Sequence, residues 1–145
     1  LEITGFYIFK LIILFNITKI TKIVYWTSTV FIFLLEGVMP ALTSHTDLAK
    51  EGVAHLGYPD YFRFLLAGFK VLGALTLILP MLKGRIKEWA YAGFTFNFIS
   101  AAVSHTVVDG FGGQTFFPVV VLLILAVSYV CYHKIINGQT TSAFS

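Results

Sequence analysis

Two apolar stretches decide the fold, residues 25–43 (YWTSTVFIFLLEGVMPALT) and residues 61–80 (YFRFLLAGFKVLGALTLILP). Each is long enough for a membrane-crossing helix, since a hydrocarbon core of about 30 Å needs about 20 residues at about 1.5 Å each. Each also carries a formal charge in its interior at nearly the same distance from its outer end, Glu36 in the first and Lys70 in the second, which has Arg63 besides near its start. A lone charge in lipid is costly, so such residues pair, line a cavity or serve a function.

Outward from these stretches, the sequence predicts an all-α integral membrane four-helix bundle. The spans fall at about residues 24–42, 61–79, 88–108 and 116–132. Pro40 and Pro80 mark the ends of the first two. Between them, residues 47–55 have fair helix propensity and suit a short surface helix. Gly57-Tyr58-Pro59-Asp60 then reads as a turn, with Asp60 as a candidate helix N-cap. Lys83-Gly84-Arg85-Ile86-Lys87 reads as a basic loop, and residues 109–113 as a glycine-rich turn. Residues 1–21, apolar but interrupted by Lys10, read as an N-terminal extension outside the fold. The four-span domain covers residues 22–134, and residues 135–145 read as a polar, frayed tail.

Composition supports this class. Of 145 residues, 57% are hydrophobic and only 12% are charged, against roughly a quarter charged in soluble domains. The net charge of +3 is dispersed around the apolar runs, so no nucleic-acid partner is expected. The single cysteine, Cys131, excludes an intrachain disulfide and a Cys-x-x-Cys redox pair. Lys19, Lys22, Lys83, Arg85, Lys87 and Lys134 collect on one side of the spans, and only Lys50 and Arg63 on the other. The excess of positive charge predicts both termini in the cytoplasm of a multi-pass cell-membrane protein. Tyr25, Trp26, Trp89, Tyr91, Tyr129 and Tyr132 would form the inner aromatic belt.

Depth places a polar layer near the bilayer midplane. Counted along each helix from its inner end, Glu36 lies roughly 18 Å deep, Lys70 roughly 15 Å and Asn97 roughly 13 Å. The two charges are expected to meet there, with the Asn97 amide nearby. On the third span, Ala90, Gly93, Asn97, Ser100 and Ser104 recur at +3, +4, +3 and +4, a face suited to close helix packing. His105 stands further out on an adjoining row with Asn97 and Ala101. The Glu36–Lys70 pair has two readings, a structural pin on helix register or a centre that handles a ligand or protons. Asn97 reads as interhelical glue or as a functional amide. His105 reads as a capped interfacial residue, a quinone ligand or a proton shuttle. No metal site is expected, because the spacing of His45, His55 and His105 matches no metal-binding pattern.

Several strings resemble the DoxX-like family of small four-helix membrane proteins. They are Tyr25-Trp26-Thr27-Ser28-Thr29, the run from His55 through Gly57-Tyr58-Pro59-Asp60 to Phe62, Lys70-Val71-Leu72-Gly73-Ala74, the run from Lys87-Glu88-Trp89 to Phe94, and Ser104-His105. The resemblance covers about residues 22–132. It implies a multi-pass bundle, with relatives associated with membrane-bound thiosulfate or quinol oxidation, with redox complexes or with membrane-protein assembly. Tyr58, Pro59, Lys70, Glu88, Trp89 and His105 match the family pattern, with no established catalytic set to carry over. The expected role is an accessory or anchoring subunit of a quinone-linked membrane redox system, with a lipid bilayer around it and a membrane or redox protein as partner. A quinone-sized ligand would meet Lys70, Glu36, Asn97, Ser100 and His105. The alternatives are a non-enzymatic assembly factor or scaffold, and a small transporter.

Overall fold

A computed structural model describes the backbone of residues 2–143 and the side chains of residues 17–138. Among the described residues every regular element is helical. They are α1 (Glu2–Ile32), a π-helical turn (Phe33–Val38), α2 (Met39–Thr43), α3 (Asp47–His55), α4 (Asp60–Ile78), α5 (Arg85–Asp109) and α6 (Gly113–Ala143). Three stretches are long and apolar enough to cross a membrane: Ile17–Thr43, Asp60–Ile78 and Gly113–Gly138. The expected third span is not among them. α5 has 25 residues, but Asn97, His105 and its serines and threonines lower its hydropathy.

α6 packs against α1 and α5, while α4 packs against the π-helical turn and α5. Ile32, Ala74, Leu77, Phe94, Phe98, Val121 and Leu125 form the buried centre. The outward faces of the same helices are apolar and exposed, including Phe69, Leu72, Phe96, Val120 and Leu123. That inverted surface is what a chain solvated by lipid presents, and it agrees with the apolar runs.

Pro40 bends the first rod without ending it. Its nitrogen carries no hydrogen, and its ring crowds the carbonyl four residues back, that of Glu36. The chain responds with a wider turn, in which the Met39 N–H donates to the Leu34 carbonyl, and continues as α2 to Thr43. The predicted α3 is present, capped by the Thr46 hydroxyl on the Ala49 N–H. α4 begins with Pro59, not Asp60, at its N-cap. Asp60 instead lies one turn from Arg63 and binds its guanidinium at 3.0 Å.

The backbone of α1 runs from Glu2 into the first span, and that of α6 continues to Ala143. Two further expectations need correction. Lys87, expected in a loop, is 2% exposed on the first turn of α5. Tyr25, Tyr91 and Tyr132, expected at a lipid interface, lie in the core. Both errors come from reading segments singly, when burial is set by what packs against them.

Candidate functional site

The π-helical turn positions Glu36. It brings Gly37 against α4 so tightly that a Cβ there would stand 2.8 Å from the Ala74 Cβ. Lys70 lies one turn before Ala74, so the same approach delivers its ammonium to Glu36. Lys70 Nζ is 2.9 Å from Glu36 Oε2, with side-chain exposures of 23% and 7%. The contact is an ion pair, and among the described residues Oε2 has no hydrogen-bond partner. A pair that close neutralises both charges where neither has full access to water.

Lys70 also lines a groove between α4 and α5 of about 920 Å³. Asn97 and Ser100 line it too, and Glu36 sits behind Lys70, outside the lining. Neither Asn97 nor Ser100 makes a described hydrogen bond to the ion pair. The groove therefore has an apolar wall with a few hydrogen-bonding groups near its middle, and cationic Arg85 and exposed Trp89 at the end formed by the start of α5.

The groove exists because α5 turns its small face away from the core. Ala90, Gly93, Asn97 and Ser100 line it, and a Cβ on Gly93 would meet nothing within 4 Å. Within the chain no helix covers this face at Gly93. The inward row is Lys87, Tyr91, Phe94 and Phe98, all buried. Its spacing of +4, +3 and +4 was legible in the sequence, but its leading lysine disguised it. Gly73 completes the contact, since a Cβ there would stand 2.9 Å from the Phe94 ring.

His105 does not reach the groove. Its Nδ1 is 2.7 Å from Asp109 Oδ2, and His55 Nε2 is 2.5 Å from Asp109 Oδ1. The two imidazoles hold Asp109 below the usual carboxylate range, His105 contributing most. Each nitrogen takes a different oxygen, and among the described residues no three His, Cys, Asp or Glu side chains form a metal-binding group. Asp109 went unnoticed in the sequence, although its i, i+4 spacing from His105 was a usable signal. The His55 contact, 54 residues away, had no local signal. Tyr58 shares a 2.8 Å hydrogen bond with Ser104.

The end of the bundle where α4 stops and α5 starts holds a buried cation. Lys87 Nζ donates to the Leu77 carbonyl at 2.7 Å and to the Tyr25 hydroxyl at 2.9 Å, and faces the Tyr25 and Tyr132 rings. The Leu77 carbonyl belongs to the last turn of α4, where carbonyls lack helical partners and the helix dipole favours a cation. Above it, Ser128 joins Thr29 at 2.8 Å and Tyr91 at 2.9 Å, linking α1, α6 and α5. Glu88 pairs with His133 at 2.9 Å, away from the groove.

A family model described as the DoxX-like family matches residues 24–128. The chain belongs to the DoxX-like family. The matched region holds Glu36, Lys70, the groove and the cluster of His55, His105 and Asp109. No curated protein and no solved structure matches this DoxX-like chain. With its three long apolar helices, family membership makes it a membrane protein.

Proposed function

We propose that this protein is an accessory or anchoring subunit of a quinone-linked membrane redox system. Its groove takes the oxygen-bearing head group of a lipid-soluble ligand. The observation that carries this reading is Lys70, which lines an apolar groove while paired to a carboxylate behind it. A carbonyl or phenolic oxygen arriving in the groove meets the ammonium as donor, with Asn97 and Ser100 as further hydrogen-bonding groups. Glu36 acts as counter-charge and proton acceptor. The lateral, apolar form of the groove favours a ligand that comes from the bilayer. In this reading α5 is a fourth crossing within a domain of residues 22–134. Both termini are cytoplasmic, on the side of Lys22, Lys83, Arg85 and Lys134.

The test uses purified protein in lipid nanodiscs and a fluorescent long-tailed quinone analogue. Wild type is expected to bind it, Lys70→Met to lose binding and Gly93→Phe to block it by filling the groove. No binding by wild type, or unchanged binding by Lys70→Met, overturns the reading.

A second reading, a non-enzymatic assembly factor, is favoured by the open small-residue face around Gly93. In it a partner's transmembrane helix occupies the groove. Gly93→Leu then abolishes partner co-purification while Lys70→Met leaves it intact.

A further inference from the structure

The two cations that line the groove differ in their surroundings. Lys70 has Glu36 behind it at 2.9 Å and is neutralised. Arg85 is exposed and lines the end formed by the start of α5. The lining contains no Asp or Glu. Glu88, one turn after Arg85, pairs with His133 instead, at 2.9 Å. Among the described residues no carboxylate therefore pairs with Arg85, and exposed Lys83 adds a second positive charge two residues before it.

Trp89 follows Arg85 by one turn, and its exposed side chain also lines the groove. An indole, apolar over most of its surface and with one N–H, collects at the level of lipid head groups. Depth agrees. α4 is long and apolar enough to cross the membrane and stops at Ile78, and α5 starts a short turn later. Arg85 thus stands where the hydrocarbon ends. From Arg85 to Ser100 the groove follows α5 for about 22 Å, at about 1.5 Å per residue. One leaflet's acyl chain covers half of a core of about 30 Å, or about 15 Å. The groove is therefore long enough to take such a chain whole, and Phe69, Leu72, Ile86 and Phe96 give it apolar walls.

We propose that the Arg85 end of the groove is a binding site for an anionic phospholipid. The phosphate pairs with the Arg85 guanidinium, whose planar fork suits phosphate oxygens, and the Trp89 N–H is a further donor. One acyl chain lies between α4 and α5, over the face left open at Gly93, and ends near Lys70 and Asn97. Basic pockets between membrane helices hold anionic lipids in this way. A zwitterionic lipid carries its own cation beside the phosphate, so Arg85 favours the anionic one. The inference goes beyond the quinone reading and does not depend on it, because the head group is held at Arg85 and not at Lys70.

The test uses the full chain in nanodiscs and the fluorescence of Trp89. The chain has two tryptophans, so Trp26→Phe leaves Trp89 alone. Phosphatidylglycerol or phosphatidylcholine, brominated on the same acyl chains, is mixed at increasing mole fraction into unbrominated phosphatidylcholine. Bromine quenches an indole that it touches. Brominated phosphatidylglycerol is expected to reach half-maximal quenching at an about fivefold lower mole fraction, the weight of one basic side chain against an anionic lipid. Arg85→Gln is expected to bring that ratio below about twofold, while Lys83→Gln, outside the lining, changes it less than about twofold. Circular dichroism checks that each variant keeps its helical content. Equal quenching by the two lipids in the Trp26→Phe protein overturns the proposal. So does a ratio that Lys83→Gln lowers as much as Arg85→Gln, because the preference then belongs to general surface charge. Weak quenching by both lipids that rises equally as protein is diluted in lipid shows a second copy of the chain on the groove, and also overturns it. No readout here uses a quinone, so this proposal and the quinone reading fail separately.

Discussion

Gly37 and Ala74 meet so closely that the first has no room for a side chain, and that contact sets the Glu36–Lys70 distance. Gly37→Ala places a methyl 2.8 Å from the Ala74 Cβ. It is expected to destabilise the protein by about 1–3 kcal/mol, as overpacking does. Adding Ala74→Gly should recover part of the loss. Gly93→Ala, where a Cβ meets nothing, should be neutral or stabilising by up to about 1 kcal/mol through helix propensity. Thermal unfolding of the three variants and the wild type in one detergent checks the order.

Removing one member of the central ion pair strands the other. Lys70→Met and Glu36→Gln are each expected to destabilise. The loss should be near the low end of about 3–5 kcal/mol, because Lys70 keeps partial exposure. The double variant should be more stable than the sum of the two losses implies. A double-mutant cycle measured by reversible unfolding gives the coupling, and additive losses would show that the contact contributes nothing.

Lys87 should matter more to stability than its exposed neighbours. Lys87→Met leaves the Leu77 carbonyl and the Tyr25 hydroxyl oxygen without their buried donor, at about 1–3 kcal/mol for each group left unsatisfied. Lys83→Met and Arg85→Met change exposed side chains and should stay within about 0.5 kcal/mol. Melting temperatures of the three variants compare them directly.

Asp109 sets an acid limit on its cluster with His55 and His105. Its carboxyl is held below the usual range by His105 and His55. Its stabilising contribution is therefore complete above the unfolded-state value, about 3.9, and is lost as pH falls through the lower folded value. Asp109→Asn should flatten the acid limb of the stability profile below about pH 4 and leave the neutral region offset but parallel. Chemical unfolding across pH 2–6 tests this, and identical acid limbs would count against the cluster.

Much of the fold was legible in the sequence. The length and apolarity of residues 25–43 and 61–80 announce membrane helices, and Pro59, Gly57 and Pro80 mark where helices begin and end. Glu36 and Lys70 were legible as a pair because depth in a helix is a residue count. The inward face of α5 could not be chosen from the sequence, since a row of small residues and a row of aromatics one position apart are both regular. Only the presence or absence of a neighbouring helix tells them apart.

By itself, the sequence determined that the chain is a helical membrane protein with two opposite charges at one depth. Apolar runs and helical periodicity are local properties that depend on no partner. Tertiary structure decided the rest: that Lys87 is enclosed by aromatic rings, that α5 leaves a groove beside Lys70, and that His55 crosses to Asp109. Each depends on distances between segments far apart in the chain, which packing sets and local pattern does not encode.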